Sequence, residues 1–281
     1  MKYRFMLILF NLITGIFLSL FFLAPFFLLG LDFFKLFWRS SWPLAALFFL
    51  IILGMDGYFL YNRRFFSLLE REDWPAMALF LENKVLGQGR YSSRLVRLLA
   101  NTYLVLADCE SVLKLENRIA AAKPLLLERH GLIFGAARVL GKQYAGAARF
   151  FQARLAKTGA GGKNQEAPAG TAQWLLWYYG FSQLLDRRYQ EAAEAFSAIA
   201  RSSAVLVPAG LSAYFLAGTL ARVLPRRRGD LNAASAEGRD RVLAALPALA
   251  DWQKQIEKLQ AEAHIAVLAK YLQDAAQWLY Q

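Results

Sequence analysis

Residues Phe5 to Leu31 carry no charged side chain over 27 positions. A bilayer's hydrocarbon layer is about 30 Å thick, and a helix needs about 20 apolar residues to cross it. This run is long enough to span, even with Pro25 near its end. A second apolar run, Trp42 to Tyr61, is about the minimum length and holds one charge, Asp56. Lys2 and Arg4 would suit the basic start of a cleaved leader. The run is about twice as long as a usual leader core, however, and no Ala-x-Ala site follows it. The reading is therefore a membrane hairpin, residues 1–62, joined to a water-facing remainder.

Flanking basic residues set its orientation. Lys2 and Arg4 precede the first span; Arg63, Arg64 and Arg71 follow the second. Both outer flanks are expected on the cytoplasmic side of an inner membrane. Asp32, Lys35 and Arg39 would lie in the connecting turn, and Trp38 and Trp42 in the aromatic belt of the far interface. Asp56 has two readings: a functional carboxylate inside the membrane, or a residue close enough to the interface to pair with Arg63.

Of the formal net charge of +12, the residues after Asn62 carry +10, from 29 basic and 19 acidic side chains. A basic domain held at a bilayer is drawn to anionic headgroups; the alternative is a solvated, mixed-charge helical surface together with the positive-inside bias. No nucleic-acid-binding motif accompanies the charge. Cys109 is the only cysteine, and His130 and His264 are the only histidines, far apart in sequence. That excludes a disulfide framework and leaves no metal-ligand spacing. No phosphate-binding loop or nucleophile elbow occurs. The run GAGGKN from Gly159 reads as a flexible linker. No enzyme, cofactor or small-molecule substrate is expected.

After Asn62, apolar residues recur at helical spacing. Four segments align, starting at Tyr58, Ser93, Glu128 and Gln173, at intervals of 35, 35 and 45 residues. The longest interval holds a Gly/Ala-rich insertion near 158–171. Val96, Leu99, Ala100 and Tyr103 form a large–large–small–large set, and Pro124 stands where a second helix would end. Phe134, Gly135, Tyr144, Ala147 and Phe151 take the corresponding places, as do Leu176, Tyr179, Gly180, Tyr189, Ala192 and Phe196. Trp74, Met77 and Leu81 fit the second helix of the first unit, where Phe65 occupies a site that wants a small residue. Small residues let two helices approach; large ones fill the spaces between pairs.

This period and order resemble the tetratricopeptide repeat. The resemblance implies an all-α fold: a transmembrane hairpin, TPR-like repeats over 63–200, and a helical continuation or cap over 201–281. It also implies a groove lined by the first helix of each unit. Trp174, Trp177 and Phe181 fall on groove positions at i, i+3 and i+7, as anchors for a peptide or helix; alternatively the insertion or the helix near Val205 covers them. Arg94, Arg97 and Asn101 take groove positions in the second unit and suit an acidic protein segment, or form a solvated face. Ile133 and Tyr178 stand where a full carboxylate clamp would need polar residues. The layout is similar to bacterial inner-membrane tetratricopeptide proteins that begin with two spans. A membrane-anchored interaction scaffold that assembles an envelope complex is the expected function. A structural subunit of a secretion or motility machine is the alternative.

Overall fold

The computed structural model describes residues 2–159, 170–259 and 263–281. The insertion expected near 158–171 therefore falls largely outside the described residues. Those residues contain sixteen α-helices and no strand. The chain divides into two compact units, Met1–Leu81 and Glu82–Gln281.

The first unit is dominated by α1, Lys2–Tyr61, which is broken at Gly30. There the backbone takes φ 82° and ψ 178°, a region open essentially to glycine alone. The chain reverses at this residue and the two halves run antiparallel. Phe22 lies 5.5 Å from Trp38 and Phe26 lies 5.7 Å from Phe34, ring centre to ring centre. Further along the hairpin Asn11 Nδ2 donates to Asp56 Oδ1 at 2.9 Å. The turn is thus a single glycine. Asp32, Lys35 and Arg39 belong to the second helix, with Lys35 and Asp32 3.8 Å apart. The sequence pattern misplaces the turn because charge draws the eye to residues 32–39, whereas backbone conformation decides it. Leu7–Ala24 and Gly30–Tyr61 are each long and apolar enough to cross a membrane. Leu206–Val223 also meets that measure but is 61 % buried inside the second unit. Helices α2 (Arg63–Glu70) and α3 (Trp74–Glu82) follow the hairpin.

The second unit starts with α4 (Ser93–Val105), α5 (Cys109–Ala122), α6 (Pro124–Arg129), α7 (Gly131–Leu140) and α8 (Tyr144–Gly159). Next come α9 (Thr171–Leu185), α10 (Tyr189–Ser202), α11 (Leu206–Phe215) and the short α12 (Ala221–Val223). The chain closes with α13 (Arg228–Ala245), α14 (Leu249–Leu259), α15 (Ala263–Ala266) and α16 (Ala269–Tyr280). Helix pairs form between near neighbours: α4 with α5, α7 with α8, α9 with α10, α11 with α13. Glycines permit the close approach. A Cβ on Gly135 would stand 2.1 Å from the Phe151 ring, and one on Gly180 would stand 3.0 Å from Ala195. The aromatic core includes stacked pairs Phe151–Tyr178, Trp177–Phe181 and Phe196–Phe215.

One local geometry recurs with the sequence period. Glu72, Ala107, Lys142 and Arg187 all hold positive φ, between 53° and 63°. Their spacing is 35, 35 and 45 residues, as in the aligned segments. Each stands in the same turn. Asp73, Asp108, Gln143 and Arg188 each donate a backbone N–H five residues back, to Leu68, Tyr103, Arg138 and Gln183. That is the helix-ending bond of a left-handed cap. Glycine is absent from all four positions, although a side chain in this region costs about 1 kcal/mol. Ala107→Gly, Lys142→Gly and Arg187→Gly are each expected to raise stability by about 0.5–1 kcal/mol. Urea unfolding followed by circular dichroism checks this; loss of stability would mean that the turn has another backbone conformation.

Candidate functional site

Helix α4 begins at a serine pair. Ser92 caps it, accepting from Leu95 N at 3.2 Å. Val96, Leu99, Ala100 and Tyr103 turn one stripe into the core. Tyr103 Oη donates to Glu82 Oε1 at 2.6 Å; burial, then that carboxylate, push the phenol upward and keep it protonated. Arg94, Arg97 and Asn101 share a second stripe. Both arginines are exposed, and Asn101 is half-buried with no hydrogen-bond partner for its buried Oδ1. Among the described residues neither arginine forms an ion pair.

His130, at the start of α7, adjoins this stripe. Its Nε2 lies 3.0 Å from Ser93 Oγ. Burial, aided by the Arg97 charge, lowers the imidazole to about 4. Arg129 acts in the same direction, and Lys123 Nζ donates to Tyr91 O at 3.2 Å. The nearby Glu128 is engaged by Lys157 at 3.3 Å. The surroundings are thus cationic, with a neutral imidazole that takes up a proton poorly at neutral pH. They suit binding of an anionic group better than proton transfer. Ser93 and His130 stand 37 positions apart in sequence and meet where α4 packs against α7, a contact that no local pattern specifies.

Trp174, Trp177 and Phe181 do come together, but not on an open face. They are 4 %, 0 % and 3 % exposed. The expectation that they line an open groove is corrected here. Trp177 packs against Phe181, Phe196 and Phe215. Trp174 lies 5.3 Å from the His264 ring, and Phe181 lies 5.3 Å from Tyr271. Tyr178 Oη donates to His264 O at 2.9 Å. The covering residues come from α10, α11, α15 and α16. His264 is buried too, and that burial lowers it to about 4.

Both histidines therefore resist protonation while folded. In the unfolded chain they titrate near their ordinary value, about 6.5. Between about pH 6.5 and 4 the unfolded state binds more protons, so stability falls as pH falls through that window. The expected loss is about 3 kcal/mol for His264 and less for His130, where solvent screens part of the Arg97 contribution. Urea midpoints at pH 7 and 4.5 measure it, and the His130→Gln/His264→Gln pair should flatten the slope. An unchanged slope would locate the acid sensitivity elsewhere.

A third cluster braces α5 to α7 and α8. Arg138 Nη1 meets Glu116 Oε2 at 2.5 Å, with both side chains largely buried. The Arg138 and Arg154 guanidinium carbons lie 4.3 and 3.6 Å from the Phe150 ring centre. Arg154 Nη2 donates to Leu127 O at 3.2 Å, and burial lowers this arginine to about 10. The buried ion pair and the two guanidinium–ring contacts point to a structural brace.

In the first unit, Asp56 meets Asn11, a partner that no local pattern connects with it. Trp38 is half-buried between Phe22 and Phe34, whereas Trp42 is 59 % exposed. Arg63 and Arg64 are exposed at the start of α2, with Arg64 5.5 Å from the Phe80 ring. The side chains of Lys2 and Arg4 lie outside the described residues.

Residues 111–281 match the model of a family described as "Uncharacterised Treponema protein". The chain belongs to that family. An "Uncharacterized protein" of Treponema pallidum (strain Nichols) is 26 % identical over 206 residues, covering 71 % of this chain and 63 % of that relative. The chain thus spans under two thirds of the relative's length. No solved structure matches.

Proposed function

We propose that this member of the family is a membrane-anchored protein–protein interaction scaffold, not an enzyme. The two long apolar helices anchor it in a bacterial inner membrane with the remainder on the cytoplasmic side. That side follows the basic flanks, Arg63, Arg64 and Arg71. The four left-handed turns spaced 35, 35 and 45 residues apart support a TPR-like solenoid over 63–200. Such stacks present a continuous face built from their first helices.

The observation that carries the function is the α4 stripe. Arg94 and Arg97 stand exposed without carboxylate partners among the described residues, beside Asn101, whose amide oxygen is buried without a hydrogen bond. A partner's carboxylates would meet the two guanidinium groups in charge-assisted hydrogen bonds. An acidic protein segment fits that need. Anchoring would raise that segment's local concentration at the membrane and promote complex assembly.

A fluorescein-labelled peptide alternating Glu and Leu, titrated onto the full chain in lipid nanodiscs, tests this. Arg94→Glu/Arg97→Glu should weaken binding by about 10-fold or more. Arg226→Glu/Arg228→Glu makes the same change in net charge at exposed sites away from α4 and should have little effect. Equal loss in both variants would reduce the interaction to overall charge and overturn the assignment.

A further inference from the structure

Helices α14 and α16 both rest on α11 at Gly210. A Cβ there would stand 2.8 Å from the Trp252 ring and 3.3 Å from Leu279. A groove of about 680 Å³ lies between the two helices, lined by Trp252 and Ile256 of α14 and by Ala269, Leu272 and Ala276 of α16. Its walls are pinned. Trp252 and Leu272 are buried. Arg239 Nη2 donates to Leu279 O at 3.0 Å, and Tyr280 Oη donates to Leu246 O at 2.8 Å. These bonds tie the end of α16 to α13 and to the corner where α13 ends. Alanine at 269 and 276, two turns apart on one side of α16, leaves the space open. Ala269 is exposed and Ala276 half-buried, so a larger side chain at either place has room to enter the groove.

Size and lining decide what fits there. A helix is about 10–12 Å across with its side chains and rises about 5.4 Å per turn, so this space holds little more than one turn. Sites for small molecules run from about 300 to 1,000 Å³ and are mostly apolar with a few polar groups. The groove has that make-up. Its polar lining residues are Gln253 of α14 and Gln273 of α16, both exposed. Among the described residues no charged side chain lines it. An ionised ligand group drawn into it would lack a counter-charge, which is costly. A hydroxyl or a carbonyl needs none, because a side-chain amide both donates and accepts.

We propose that the α14–α16 groove binds a single acyl chain whose polar end is uncharged, that of a fatty alcohol or a fatty ester. The chain takes up the apolar space beside Ile256, Leu272 and Ala276, and its hydroxyl or carbonyl meets the two glutamine amides. The site shares no residue with the α4 stripe. The supply of such a lipid rests on the membrane anchoring proposed above; the groove itself does not.

The test uses the full chain in lipid nanodiscs and hexadecanol carrying a photoactivatable diazirine, with the adducts mapped by mass spectrometry. The parent chain should carry adducts on α14 and α16 that excess plain hexadecanol removes, besides those on α1 within the bilayer. Ala269→Leu/Ala276→Leu fills the groove. It should cut the α14 and α16 adducts by about 10-fold, the equivalent of two buried methylenes, and leave those on α1 unchanged. Circular dichroism should give the variant an unfolding midpoint no lower than the parent's. If the midpoint falls, Ala269→Leu alone, at the exposed position, replaces it. No adduct on α14 and α16 in the parent would overturn the proposal, as would equal labelling of parent and filled variant. Protection by an amphipathic Leu/Lys helical peptide but not by hexadecanol would assign the groove to a protein helix and overturn it too. Groove adducts without any on α1 would overturn the anchoring alone.

Discussion

Trp177→Ala is expected to destabilise the second unit by about 3–5 kcal/mol. The indole is fully buried and meets Phe181 at 4.9 Å, Phe196 at 6.0 Å and Phe215 at 6.2 Å. Truncation would remove its transfer energy and leave a cavity between three helices that cannot easily collapse, because their rings already stack on one another. Its Nε1 has no acceptor. Trp177→Phe gives up that unsatisfied donor and retains most of the ring, so it should cost far less than the alanine variant. Urea unfolding followed by circular dichroism separates the two. A folded Trp177→Ala chain of parental stability would return this residue to an exposed face.

Glu116→Ala is the second large effect, about 3 kcal/mol of lost stability. The pair it breaks is largely buried, and Arg138 would remain next to the Phe150 ring and a second guanidinium, that of Arg154, without its carboxylate. Replacing both partners, as Glu116→Leu/Arg138→Leu, should recover much of the loss, since two apolar side chains need no pairing. The exposed pair Lys114–Glu110, at 2.7 Å, gives the contrast. Breaking it should leave the unfolding midpoint unchanged, because solvent screens such pairs. A double-mutant cycle on Glu116 and Arg138 measures the coupling. Coupling no larger than that of the exposed pair would mean that water reaches the brace.

Much of this architecture was legible in the residues. The uncharged run from Phe5 needs only the thickness of a bilayer to be understood, and helical spacing identifies the rest as all-α. The four left-handed turns recur at the same intervals of 35, 35 and 45 residues as the aligned segments, although nothing in the residues at those places specifies a positive φ. Two features were hidden for different reasons. The hairpin reverses at Gly30, but its neighbours Asp32, Lys35 and Arg39 read as a loop by composition. Of the two readings of Trp174, Trp177 and Phe181, cover by the helix near Val205 agrees with Phe215 of α11 packing on Trp177 and Phe181, but the part of the cover that comes from α15 and α16 has no local signal. Helices α15 and α16 return across α7 and α11 from about 90 residues away, a long-range contact that no local pattern specifies. The Arg94/Arg97/Asn101 stripe was read as groove-facing, and its arginines are solvent-exposed in the structure. Its neighbours Ser93 and His130 are joined only by the packing of α4 against α7.

We propose above that α4 presents a partner-binding face. A photo-crosslinking residue at Asn101 in the full chain, activated in native membranes, tests it most directly. A small, reproducible set of captured neighbours, joined through acidic segments, is expected. That set should be lost with Arg94→Glu/Arg97→Glu and kept with Arg226→Glu/Arg228→Glu. The same neighbours in all three proteins, or none beyond lipid, would contradict it.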